Sequence, residues 1–345
     1  ANVTIHDDDP SPGTWTEVGS TLCDRNLHTT TLLQNGKVLL TGGRYIQTAV
    51  LYDPADGSWT STPNLNSTRD SHTATLLSNG KVLITGGRNV NSILKTSQFY
   101  NPQTNVWTNA PSLNVSRYWH TSTLLLDGKV LVSGGRIDTT TATTTVELFD
   151  PELNSWTIVE PMIQARIGHV AVLLADGRVL VVGGYQSVIL ASAEIYDPAS
   201  DTWTNVSDMT TSRHFPSATL LPDGKVLVVG GVSDGDVVNS SSEIYDPASD
   251  TWILSGSMAE ARHRHTATAL PDGKILVSGG SNTSIINSVE IYDPSSGTWR
   301  FTESLHAARY DHTTTLLPDG RLLVVGGVGT FASENSAELY IPTGG

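Results

Sequence analysis

Basic residues are scarce in this chain: 20 Lys and Arg stand against 34 Asp and Glu, a formal net charge of −14 over 345 residues. Such a surface repels phosphate backbones, so no nucleic-acid partner is expected. Cysteine is nearly absent, and Cys23 alone cannot form an intrachain disulfide. No run of about 18 apolar residues occurs, which excludes a helical membrane span. The sequence starts at Ala1-Asn2-Val3, from which a processed mature form is expected. Abundant Thr and Ser with few Lys favour a secreted or periplasmic setting over a cytosolic one. The 3.6-residue apolar period of amphipathic helices appears nowhere. Also missing are a phosphate loop, an activated-nucleophile motif and a metal motif of accepted spacing.

What is present is a repeat. Glycine pairs fall at Gly42-Gly43, Gly86-Gly87, Gly134-Gly135, Gly183-Gly184, Gly230-Gly231, Gly279-Gly280 and Gly326-Gly327, with spacings of 44, 48, 49, 47, 49 and 47 residues. Trp15, Trp59, Trp107, Trp156, Trp203, Trp252 and Trp299 recur at the same spacings. Such a regular period marks an array of one supersecondary unit.

Residues 262–299 show the unit. His265–Leu270 reads as a short inner strand and Asp272-Gly273 as a two-residue type I′ hairpin. Lys274–Gly280 reads as a second strand buried on both faces. Ser281–Asn287 forms a longer loop, Val289–Tyr292 a third strand, and Thr298–Arg300 opens an outer strand after an Asp-Pro turn. Trp15 precedes the first inner strand, and no tryptophan follows Tyr340. Residues 13–18 are therefore expected to supply the outer strand of the last blade, closing the ring and removing two sheet edges. The expectation is an all-β, seven-bladed propeller of four-stranded antiparallel blades spanning residues 1–345, with 1–12 as an N-terminal extension.

With Arg-x-x-His-Thr-x-Thr-Leu-Leu-Pro-Asp-Gly-Lys-Val-Leu-Val-x-Gly-Gly units throughout, the chain resembles the kelch superfamily. It is also similar to the central propeller of galactose oxidases over nearly all of residues 13–341. The resemblance implies the fold; kelch propellers act as enzymes, lectin-like modules and protein-binding platforms, so it does not settle function. The copper-radical site of the oxidases needs a tyrosine just before the copper-binding histidine. Leu27, Ser71, Trp119, Gly168, Arg264 and Asp311 stand there instead. Cys23 is misplaced for the family's thioether, and no further domain is expected after residue 341 to complete the ligand set. No metal or cofactor is expected.

Residues present in every repeat serve the blade; unrepeated ones at exposed positions are better site candidates. Arg25, Arg69, Arg117, Arg166, Arg213, Arg262 and Arg309 recur, and Glu147, Glu194, Glu243, Glu290 and Glu338 occupy the third strand of five repeats. Buried Arg–Glu pairs are the simple account. Val50 and Gln98 replace the glutamate in the first two repeats, so Arg25 and Arg69 are expected to be open to a ligand. His28, His72, His120, His169, His265 and His312 follow their arginines by three residues, with Pro216 breaking the series. Blade spacing of about 10 Å is too wide for a shared zinc ligand sphere, so structural hydrogen bonding is expected.

The unrepeated set lies in two loop series expected at one axial opening. After the repeated arginines come Asp70, Tyr118-Trp119, His214-Phe215, His263-Arg264 and Tyr310-Asp311; after the glycine pairs come Arg44, Arg88, Arg136 and Tyr185. Aromatic walls with a few directed polar groups suit a small ligand, and flat rings suit sugar faces. A plug of the channel mouth is the alternative. Arg44, Arg88 and Arg136 would draw an anion such as a uronic acid, a carboxylated metabolite or an acidic peptide, unless acids such as Asp53 or Asp138 pair with them. Two functions are carried forward. The first is a monomeric binding module for a carbohydrate, an anionic small molecule or an acidic peptide. The second is a lyase-, epimerase- or cyclase-type enzyme using His214, His263, Tyr310 and Asp311 as acid–base groups beside the arginines. A substrate-adaptor role is less favoured.

Overall fold

A computed structural model describes residues 13–330 and 333–342; the expected extension at 1–12 lies outside them. Seven four-stranded antiparallel sheets form the seven blades. Neighbouring blades touch through their inner strands around a closed ring, the seventh meeting the first. Thr14–Ser20 pairs with Ser336–Ile341, setting Trp15 opposite Tyr340, so the N-terminal strand does complete the last blade. No helix occurs among the described residues.

Each second strand, such as Val179–Val182, is buried at every position, because sheets cover both of its faces. The turn after each inner strand differs from the expected I′ hairpin. In blade six only Gly273 has positive φ (83°), its N–H donates to the Leu270 carbonyl, and Asp272 stays outside the left-handed region. The Leu270 N–H donates to the Lys274 carbonyl, so the loop holds three residues rather than two, and a type I turn followed by a left-handed glycine closes it. Pro271 suits the first central position, but Gln34, Ser78, Leu126 and Ala175 make the same turn in other blades. The strands run Thr266–Ala269, Ile275–Ser278, Val289–Asp293 and Thr298–Phe301.

Three sets of repeated side chains bind the blades. Every repeat tryptophan donates its indole N–H to a carbonyl of the preceding blade at 2.7–2.9 Å, from Trp59 to Val18 round to Trp15 to Glu303. Arg117, Arg166, Arg213, Arg262 and Arg309 meet Glu147, Glu194, Glu243, Glu290 and Glu338 at 2.6–3.0 Å, all fully buried. The carboxylates also accept backbone N–H groups of the incoming linker, such as Asn114 and Val115 at Glu147.

The six histidines place Nε2 against a hydroxyl of the preceding blade: Thr313, Thr29, Thr73, Thr121, Ser217 and Thr266, at 2.7–3.1 Å. Where Pro216 interrupts the series, the residue of blade four in the register of those hydroxyls is Val170, which has nothing to bond.

Arg25 and Arg69 do not open to a ligand. Both are 1% exposed. The terminal nitrogens of Arg25 donate to the Gly42 carbonyl, Thr48 and the Cys23 sulfur at 2.9 Å, and those of Arg69 to the Gly86 and Thr96 carbonyls and the Thr96 hydroxyl. Losing the glutamate removed the counter-charge but left the packing that seals the guanidinium in; burial pushes Arg69 down to about 10.

Candidate functional site

The two loop series meet at one end of the ring. Isolated bridges pair Asp70 with Arg88, Tyr118 with Arg136, Ile167 with Tyr185, His214 with Val232, His263 with Ser281 and Tyr310 with Val328. Each blade thus presents the residue after its arginine beside the residue after its glycine pair. The next position, Leu27, Ser71, Trp119, Gly168, Phe215, Arg264 and Asp311, adopts φ of 52–57° in all seven blades. Six of these are not glycine, and a left-handed backbone costs each about 1–2 kcal/mol. Their amides offset it in part by bonding around the axis: Ser71 N–H to Leu27, Trp119 to Ser71, Phe215 to Gly168, Arg264 to Phe215, Asp311 to Arg264 and Leu27 to Asp311.

This collar crosses the axial channel. The Trp119 ring lies 5.7 Å edge-on from Phe215, spanning Gly168, and Arg264 stacks over Phe215 at 4.0 Å. Arg264 Nη1 donates to Asp311 at 2.7 Å. A side chain at Gly168 would strike His214 and Phe215, so its absence makes room for them. Trp119, Arg264 and Asp311 line both a cavity of about 390 Å³ above the collar and one of about 260 Å³ below it. The same three residues thus stand between the two cavities, as the floor of the upper one.

The upper cavity brings together Arg44, Arg88, Trp119, His263, Arg264, Tyr310 and Asp311. Other candidates stand apart from it. Tyr118 is buried behind Arg88, whose guanidinium lies 4.9 Å from the Tyr118 ring. Asp70 is buried and holds Arg88 at 3.0 Å. His214 is stacked between Tyr185 and Phe215, its ring centroid 5.6 and 3.9 Å from theirs. Together with Arg136 these fill the sector of blades three to five. Asn26, Leu27, Ser281 and Val328 also line the cavity. Their register in the repeat marked them; their plain side chains hid them.

Three guanidinium groups, of Arg88, Arg136 and Arg264, surround the Trp119 ring at 5.4–5.9 Å. The acids suggested as local partners are engaged elsewhere: Asp53 with Lys37 at 2.9 Å, and Asp138 with the backbone of Thr140 and Thr141. Among the described residues, Arg44 and Arg136 have no carboxylate partner. Burial and the neighbouring arginines push His214 down to about 4, and burial with Arg264 lowers His263, so both rings are neutral at pH 7. Burial raises the Asp311 carboxyl, against the pull of Arg264.

A closed ring of seven four-stranded blades with an axial funnel defines the class, a seven-bladed β-propeller. The sequence family described as the KLHDC2/KLHL20/DRC7 Kelch-repeats domain matches residues 119–327, and the Kelch motif matches residues 71–114; the chain belongs to the kelch-repeat family. By sequence, no curated protein matched. Among solved structures it is similar to a fungal alcohol oxidase of the AA5 family in complex with copper, at 20% identity and a TM-score of 0.80, covering 96% of this chain and 76% of that one. It is also similar to YjhT, at 14% identity and a TM-score of 0.67, covering 82% of this chain and 99% of that one. These likenesses concern the fold.

The donor set here does not fit copper. The repeated histidines are spent on inter-blade hydroxyls, and no three His, Cys, Asp or Glu side chains among the described residues converge as metal ligands.

Proposed function

We propose that the chain is a binding module that holds an anionic ligand, a sugar acid or an acidic peptide segment, in the axial funnel against Trp119. One observation carries the reading: in a protein of net charge −14, three arginines gather around a single indole that lines a cavity. Arg44, Arg88 and Arg264 line that cavity, while Asp311 and the buried Asp70 supply the opposing charge, leaving a positive excess of one. Low-dielectric walls focus such a field on an incoming anion, and the cavity is of small-ligand size. A secreted or periplasmic setting is in keeping with the Thr- and Ser-rich composition, and the module is proposed to act as a monomer.

A second reading, acid–base catalysis on an acidic sugar, draws on His263, Tyr310 and Asp311 lining the same cavity as the arginines. His214 takes no part in that cavity.

Calorimetric titration with galacturonate and galactose tests the binding reading. Galacturonate is expected to bind in preference to galactose. Arg44→Ala and Arg88→Ala should each weaken it by about tenfold or more, the loss of one charged hydrogen bond being about 1.5–3 kcal/mol. Equal affinity for acid and neutral sugar, or indifference to both substitutions, overturns it. Turnover of galacturonate that disappears in His263→Ala would establish the enzyme instead.

A further inference from the structure

We propose that occupation of the funnel by an anion is coupled to uptake of one proton from solvent by Asp311, a coupling that rests on the funnel being an anion site. The cavity floor is built so that an incoming anion and Asp311 compete for one guanidinium. Arg264 Nη1 donates to Asp311 Oδ2 at 2.7 Å, and the Arg264 guanidinium is stacked over Phe215 at 4.0 Å, which opposes its swinging away to serve the anion alone. Both Arg264 and Asp311 line the cavity, so an anion that reaches the arginine meets the carboxylate.

The groups around Asp311 come from several blades. Arg264 of blade six is its one ion-pair partner among the described residues, and Asp70 of blade two adds negative charge. Arg44 and Arg88 of blades one and two, His263 of blade six and Tyr310 of blade seven share the upper cavity, while His265 and His312 share the lower one with Asp311. Burial already raises the Asp311 carboxyl above the usual carboxylate range, and Arg264 is what opposes this. An anion drawing on Arg264 weakens that opposition and adds like charge. Protonated Asp311 then has an O–H to donate to the anion in place of a repelling oxygen. Binding that takes up a proton strengthens as pH falls, by at most about tenfold per pH unit for one proton.

The test is titration calorimetry with benzenesulfonate, ionised at every pH used, and with galacturonate, from about pH 8 to 5 in buffers of contrasting ionisation enthalpy. The expected result is a buffer-dependent heat corresponding to uptake of up to one proton, with affinity rising as pH falls. Asp311→Asn tolerates the left-handed backbone and offers an amide oxygen to Arg264. It should bind both probes more tightly at the upper pH and lose the dependence, with its melting temperature serving as the folding control. Binding without buffer-dependent heat overturns the coupling and leaves the anion reading standing. So does a linkage that survives in Asp311→Asn, which would place the proton on His263. If neither probe binds, the anion reading fails and the coupling falls with it.

Discussion

The carboxylate of Glu194 is fully buried and accepts from Arg166 Nη2 at 2.6 Å and from the Ile163 and Gln164 amides at 2.6 and 3.0 Å. Glu194→Ala would strand a sealed guanidinium and two linker amides together. Removing one side of a buried pair costs about 3–5 kcal/mol, mostly from the charge left behind. Unfolding entropy of about 2.1 cal/mol/K per residue amounts to roughly 0.7 kcal/mol/K for a chain of this length, so Tm should fall by about 4–7 °C. Glu194→Gln should cost clearly less, because an amide oxygen can still receive the linker, as Gln98 receives the Asn66 amide at 3.2 Å in blade two. Differential scanning calorimetry on the two variants decides the matter. A drop of under about 1 °C for alanine would refute the claim that this pair carries the blade linker. So would equal losses for both substitutions.

Acid should unfold the protein through its histidines. Burial pushes His72, His169 and His312 down to about 3, while the same rings titrate near 6.5 once unfolded. The unfolded state therefore binds more protons between those values, and stability falls as pH drops below about 6.5, by up to roughly 1.4 kcal/mol per pH unit per ring. Urea midpoints that stay level from about pH 7 to 5 would contradict this. Trp15→Ala removes the indole bond to Glu303 and the packing on Tyr340 at 5.1 Å, and should cost about 3–5 kcal/mol by urea titration. An unchanged midpoint would disprove closure through the N-terminal strand.

The ring, its seven blades and its closure were legible because each depends on a short local signal repeated in register: a glycine pair, a tryptophan, an Asp-Gly turn. The Arg–Glu pins could be read for the same reason. The turn type was not legible because Asn-Gly or Asp-Gly suggests a two-residue I′ loop, whereas the strands pair so that three residues are left in the loop, as between Leu270 and Lys274. The burial of Arg25 and Arg69 was not legible, because a missing glutamate does not open a position that the surrounding sheets enclose. At the site, the choice of loops was legible but not the division among them. Only three-dimensional packing shows that Trp119, Phe215 and His214 close one sector and leave the open volume to Arg44, Arg88, Tyr310 and Asp311.

The indole bonds all run in one rotational sense, each blade leaning on the one before it. An open solenoid tolerates shortening, since each repeat needs only its neighbours and the terminal repeats are capped. Here there is no terminal repeat. Excising any single blade would leave one indole facing a missing carbonyl and another carbonyl unclaimed. It would also force the remaining six to close around a tighter circumference. Partial propellers should therefore not accumulate as folding intermediates, and an evolutionary change in blade number would have to recut the collar and the funnel in the same step.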